Sequence, residues 1–258
     1  MGAIIKKRLA EGKLVRVLGL GQLCSPKLIE IAGLPNFYDA VWLDQEHVGL
    51  TVSDLEEAAR AARGVGLDSF ARLNATDYAR VMQPLEAGVG GVMAAQVQET
   101  EEAERLVQWS KFHPLGQRGV NATGVDGRYA TLPLLDYFEK ANEEVLVVVQ
   151  IEHARAVENV EAIAAVPGVD LLFVGPADLS QSLGIPGQWD NPDLWSAVER
   201  TAAAATGNGL HWAILPLNPD HAQKCVDMGC RMISVGMDVW IVQRGFKEFL
   251  GDYHQVSL

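Results

Sequence analysis

Eight short apolar runs, each followed by a longer amphipathic segment, dominate the chain and restrict it to a narrow set of folds. The runs are 15–20, 38–43, 68–73, 89–93, 145–151, 169–174, 211–215 and 231–235. Most are apolar almost throughout, as parallel strands covered on both faces are. Strands alternating with helices favour a parallel α/β fold, and eight βα units in one chain favour closure into a (β/α)8 barrel. The 258 residues match the typical length of one such barrel, about 250 residues. No linker divides the chain, so a single domain over 1–258 is expected. No G-x-G-x-x-G follows a strand, which leaves a dinucleotide fold with little support.

The segments between the strands carry their own signals. Ser53 and Glu56 stand at capping-box spacing. Asn74–Asp77 leads into a helix over 78–86 that Gly88 ends, and a helix over 154–166 precedes Pro167-Gly168. The irregular stretch 113–129 carries four glycines, and loops of that length in a barrel are usually functional or cover the site.

The formal charge, 21 − 33 = −12, disfavours nucleic acid and anionic membranes as partners. No apolar run reaches membrane-spanning length, and the N-terminus has no signal-peptide core. Cys24, Cys225 and Cys230 form no CxxC pair and read as reduced thiols. The expected location is the cytoplasm.

Barrel active sites lie at the C-terminal ends of the strands. The second strand ends in Asp44-Gln45-Glu46-His47, and the third in Arg72 and Asn74. In the fifth, Gln150 and Glu152 share a face by the period of two. The sixth is followed by Gly175-Pro176-Ala177-Asp178, and the seventh ends near Leu215. Glu152 and Asp178 thus end neighbouring strands. Two carboxylates at a barrel mouth form a metal site, an acid/base pair, or a pair neutralised by arginine. Oxygen ligands alone suit Mg, Mn or Co. Each residue also has a plainer reading: Asp178 as a helix cap, Glu152 as a solvated loop acid, His47 and Arg72 as structural groups, Glu86 as surface. None of the eight lysines lies in or just after a strand, so a Schiff-base mechanism lacks its nucleophile.

Six segments together carry a resemblance: Leu43–His47, Ala71–Leu73, Leu85–Gly88, Pro114–Val120, Val149–Glu152 and Val174–Ser180. In this order the sequence resembles the class II pyruvate aldolases of the HpcH/HpaI family, from about Lys13 to Phe249. The resemblance implies a barrel of the phosphoenolpyruvate/pyruvate type. It implies a lyase that cleaves 4-hydroxy-2-oxo acids to pyruvate and an aldehyde, and runs the reverse aldol addition. It implies a divalent metal (Mg, Mn or Co) on Glu152 and Asp178, with His47, Arg72, Asp44 and Glu86 as catalytic residues. Gln150, Gly175, Pro176, Ala177 and Leu215 would bind the substrate. The implied assembly is a homo-oligomer, a trimer or hexamer, in which Glu86 can reach a neighbour's site and the C-terminal helix can be exchanged. The sequence departs from some members at Glu86, where they carry Asp, and near Val17, where they carry a Trp. An oxaloacetate-type decarboxylase using the same enolate is the nearest alternative. A CoA-thioester lyase and a non-catalytic metabolite-binding barrel are more distant ones.

Overall fold

All eight expected strands form, and they close on themselves in chain order, β1 to β8, every neighbour parallel and β8 paired to β1. The computed structural model describes residues 3–254. In chain order the elements are α1 (Ala3–Ala10), β1 (Val15–Leu20), α2 (Pro26–Gly33), β2 (Ala40–Asp44), α3 (Val52–Gly64), β3 (Asp68–Leu73), α4 (Tyr78–Ala87) and β4 (Gly91–Ala94). There follow α5 (Thr100–Ser110), α6 (Leu134–Glu144), β5 (Leu146–Ile151), α7 (Ala154–Glu158), α8 (Val160–Ala164), β6 (Leu171–Val174) and α9 (Pro176–Ser182). The last are α10 (Pro192–Gly207), β7 (His211–Ile214), α11 (Pro219–Asp227), β8 (Met232–Met237) and α12 (Asp238–Asp252). The architecture is a (β/α)8 barrel.

Strand alternation divides the apolar residues into two cores. Outward side chains such as Val41, Val147, Leu172 and Ile214 pack under the helices. Inward ones such as Ala40, Trp42, Phe70, Met93, Val148 and Phe173 fill the barrel. Helix α1 closes the N-terminal end, placing Ile5 and Leu9 in the inner core, with the Ile5 N–H donating to Asp68 Oδ2 at 2.8 Å. The other end stays open.

Three local expectations change. The capping box of α3 is built by Thr51 and Asp54 rather than by Ser53 and Glu56, because Thr51 holds the extended backbone that an N-cap needs. The helix expected over 154–166 is two short helices that meet at Asn159, whose side chain donates to Gln98 O and Glu99 Oε2. The third change concerns the long stretch 113–129. It connects α5 to α6 and β5, so it lies on the N-terminal side of the barrel and does not cover the strand ends. It is fixed there by the Arg118–Asp126 ion pair at 2.6 Å and by Tyr137, which donates to Asp126. By contrast α4 forms as expected, capped by Asp77 and ended by Gly88 at φ 98°, a conformation that favours glycine. Among the described residues, no helix is long and apolar enough to cross a membrane.

Candidate active site

The polar groups at the open end continue the inward register of the strands below them. Trp42 faces into the barrel, so Asp44 two residues on does too. The same step takes Phe70 to Arg72, Val148 to Gln150 and Glu152, Phe173 to Gly175, and Ala213 to Leu215. Register sets Asp44 beside Arg72 across β2 and β3, and Ile151 beside Val174 across β5 and β6. Of these, Trp42, Arg72, Gln150, Phe173, Gly175 and Leu215 line a cavity of about 280 Å³.

Asp44 and Arg72 form a two-pronged pair, with Nε to Oδ1 at 3.1 Å and Nη2 to Oδ2 at 2.7 Å. The guanidinium lies 4.6 Å from the Trp42 ring, whose indole N–H donates to Ser234 Oγ. Asp44 Oδ1 also accepts the N–H groups of Glu46 and His47, which turns the chain sharply after β2. That turn brings Glu46 back over the mouth. Its Oε2 stands 3.3 Å from Arg72 Nη1 and 3.8 Å from His47 Nε2. Burial raises the Glu46 pKa, partly offset by Arg72 and His47, while the Asp44 and Asp178 charges push it further up. Arg72 is thus clamped by two carboxylates. Sequence reading noted Glu46 in the cluster after β2 but gave it no role.

Glu152 is 1% exposed. Its Oε1 accepts both the backbone N–H (2.8 Å) and the side-chain amide (3.1 Å) of Gln96, and its Oε2 accepts from Gln150 Nε2. Gln96, just beyond β4, adopts φ 58° to do this. Nothing in its sequence context marks it. Burial raises the Glu152 pKa to about 7, against the lowering effect of the Gln96 N–H, with Glu46 and Asp178 adding repulsion. Gly175 makes room for this carboxylate. A Cβ there would meet Glu152 Oε2 at 2.6 Å and Gln150 Nε2 at 2.8 Å.

Asp178 sits in the first turn of α9 and lines the cavity. It does not cap that helix. The N-cap is Gly175, with no side-chain cap, and Pro176 carries no N–H, so the uncapped donors of α9 are the N–H groups of Ala177 and Asp178. Pro176, Ala177 and Leu215 also line the cavity.

Two expected residues stand apart. His47 is near Glu46 but its side chain is 61% exposed, and it is not in the cavity wall. Glu86 lies in the last turn of α4, which runs back toward the N-terminal face. There it accepts from Asn121 Nδ2 at 3.1 Å, and it does not meet His47 within this chain. The structure adds residues the sequence did not single out. Trp189, Pro216, Leu217 and Trp240 form the outer wall of the cavity.

Glu152 is a buried carboxylate with no cation at ion-pair distance among the described residues, and burying such a charge unpaired is costly. Asp178 beside it is a second carboxylate whose side chain makes no hydrogen bond or ion pair among the described residues. Among the described residues, no three His, Cys, Asp or Glu side chains converge. Two carboxylates completed by water and substrate oxygens suit Mg²⁺ or Mn²⁺ and do not suit structural zinc.

Comparisons with known proteins agree with the barrel fold. Residues 22–244 match the HpcH/HpaI aldolase/citrate lyase family. The chain is 33% identical over 221 residues to a 2-keto-3-deoxy-L-rhamnonate aldolase of Salmonella gallinarum, covering 85% of this chain and 82% of that one. It is 34% identical over 217 residues to a hydroxypyruvate/pyruvate aldolase of Delftia acidovorans, covering 84% and 80%. The crystal structure of an HpcH/HpaI aldolase from Desulfitobacterium hafniense superposes with a TM-score of 0.92 at 28% identity, over 98% of each chain. This chain is a lyase and belongs to the HpcH/HpaI aldolase/citrate lyase family.

Proposed function

We propose that the protein is a class II aldolase that cleaves 4-hydroxy-2-oxo acids to pyruvate and an aldehyde, and catalyses the reverse addition. A divalent cation, Mg²⁺, Mn²⁺ or Co²⁺, would be held by Glu152 and Asp178. The observation that carries the proposal is the buried Glu152 carboxylate, with no cation at ion-pair distance among the described residues, beside Asp178, which lines the cavity. When bound, such an ion supplies Lewis-acid polarisation of the 2-oxo group.

The chain's own residues supply the rest. The N–H groups of Ala177 and Asp178, uncapped at the start of α9, would receive the substrate carboxylate. Arg72, clamped by Asp44 and Glu46, offers a guanidinium where charge develops on the enolate oxygen. Gln150 donates to Glu152, and its own Oε1 is buried with no partner, leaving an acceptor for a water. His47, at the rim and oriented by Glu46, takes or returns a proton through a water. In cleavage, the C3–C4 bond pair passes to the pyruvate enolate while the C4 hydroxyl proton leaves to give the aldehyde.

We also infer a homo-oligomer. Helix α12 exposes Phe246, Phe249 and Leu250. Beside it, Leu14, Phe37, Val226, Ile233 and Val235 line an apolar groove of about 680 Å³, which supports exchange of this helix between subunits. Glu86 and the 113–129 stretch share the N-terminal side of the barrel, where they can act only across a subunit contact. The three cysteines are free, two of them buried, which supports a cytoplasmic setting.

Deuterium incorporation at C3 of pyruvate, measured with added Mn²⁺ and no aldehyde, tests the enolate reading without knowledge of the natural substrate. Exchange that depends on metal and disappears with EDTA is expected. Full exchange in EDTA-treated protein would defeat the proposal. Turnover of 4-hydroxy-2-oxo acids against oxaloacetate separates aldol cleavage from decarboxylation.

A further inference from the structure

Glu152 has little freedom in how it can bind an ion. An ionised carboxylate offers about four lone pairs, shared between its two oxygens. Oε1 accepts the backbone N–H of Gln96 at 2.8 Å and its side-chain amide at 3.1 Å, so both lone pairs of that oxygen are taken. Oε2 accepts a single hydrogen bond, from Gln150 Nε2, and keeps one lone pair. The two oxygens also have different neighbours. Oε2 is the atom nearest the Cβ position of Gly175, and both Gly175 and Gln150 line the cavity, whereas Gln96 does not. The free lone pair is therefore on the cavity side. Gln96 holds its half of the arrangement at φ 58°, in the left-handed region that a residue other than glycine seldom enters. A backbone held there by its surroundings is common at ligand clamps.

We propose that Gln96 is a positioning residue that sets metal specificity: by saturating Oε1 it restricts Glu152 to one coordinating oxygen, and so favours a small octahedral cation over Ca²⁺. This inference rests on the reading given above, in which Glu152 and Asp178 hold a divalent cation. Ca²⁺ gathers about 6–8 oxygen ligands and readily takes both oxygens of one carboxylate. Mg²⁺ and Mn²⁺ are content with an octahedral set of about six, which water and single carboxylate oxygens complete. Withholding the second oxygen of Glu152 costs Ca²⁺ a ligand and costs an octahedral ion nothing.

Calorimetric titration of the metal-free full chain with Mn²⁺, and separately with Ca²⁺, reads this without substrate or turnover. The parent protein should bind Mn²⁺ at least about tenfold more tightly than Ca²⁺, a preference set by ligand number and site rigidity. Gln96→Gly keeps the backbone N–H and suits the positive φ, but removes the side-chain amide and frees a lone pair on Oε1. Gln96→Asn is the second variant: it tolerates the same φ, and its amide is one methylene short of the carboxylate. Each variant is first shown by thermal melting to be folded. Mn²⁺ should bind about tenfold more weakly in both, the scale on which orienting partners of a metal ligand act. Ca²⁺ should weaken less or bind more tightly, so the preference narrows by at least about threefold. A residue that merely supported the fold would weaken both ions alike and leave the ratio where it was. A ratio unchanged in both variants, or a parent protein that binds Ca²⁺ as tightly as Mn²⁺, would overturn the proposal and leave the metal assignment intact. Absence of Mn²⁺ binding by the parent would overturn the metal assignment itself.

Discussion

Replacing Gly175 by alanine probes how tightly the floor of the site is built. The residue has φ −97°, which any side chain accepts, so the backbone sets no barrier and the effect is steric. The added carbon would lie 2.6 Å from Glu152 Oε2, 2.8 Å from Gln150 Nε2 and 3.0 Å from Glu152 Cβ. Ordinary carbon contacts are about 3.5–4.0 Å, so the carboxylate must retreat by roughly 1 Å. It cannot do so freely, because Gln96 holds its other oxygen through two hydrogen bonds. Overpacking of this kind costs about 1–3 kcal/mol, and a misplacement of about 1 Å at a reacting centre costs about 10²-fold in rate. Gly175→Ala should therefore lower metal-dependent C3 exchange of pyruvate by about a hundredfold, while the melting temperature falls by about 2–12 °C, at about 2–4 °C per kcal/mol in a chain of this size. An alanine variant that exchanges pyruvate at the wild-type rate would refute the reasoning that Glu152 must occupy this position.

Two further outcomes are expected. Glu46→Gln removes one of the two carboxylates that clamp Arg72 and the acid next to His47. It should lower kcat by about tenfold or more with a smaller change in KM for pyruvate, as steady-state kinetics will show, because orientation rather than binding is lost. The second concerns pH. Burial lowers the pKa of His221, helped by Lys224, and burial likewise lowers that of His211. His221 Nδ1 accepts the Leu217 N–H at 3.1 Å, a bond that protonation of that nitrogen breaks. Both groups bind fewer protons folded than unfolded. Their contribution to stability is thus full above their ordinary pKa, about 6.5, and is lost as pH falls through and below it. Thermal melts between pH 8 and 5 should show this decline, and it should be shallower in His221→Asn.

The eight strands were legible because burial on both faces leaves an unbroken apolar run, a signal that short helices do not imitate. Boundaries moved by a residue or two where the register of a neighbour decides them, as at β2 and β4. Asp44, Arg72, Gln150 and Glu152 were legible for the same reason, since a period of two projects inward residues onto the mouth. Glu46 was not, because only the Asp44-centred turn folds it back over Arg72. Gln96 is a polar residue in a loop whose positive φ has no sequence signature. Trp189 and Trp240 come from connections far apart in the chain, so no local pattern unites them at the rim. Of the two readings of the stretch 113–129, functional or covering the site, the second fails within this chain, because its place after a helix and before a strand assigns it to the N-terminal side of the barrel.

The central claim is that Glu152 and Asp178 grip one hard cation. Calorimetric titration with Mn²⁺ in the absence of substrate tests it directly, using the parent protein, Glu152→Gln and Asp178→Asn, each shown by thermal melting to be folded. One ion bound per chain, with binding lost in both variants, is the predicted result. Undiminished Mn²⁺ binding in either folded variant would contradict it.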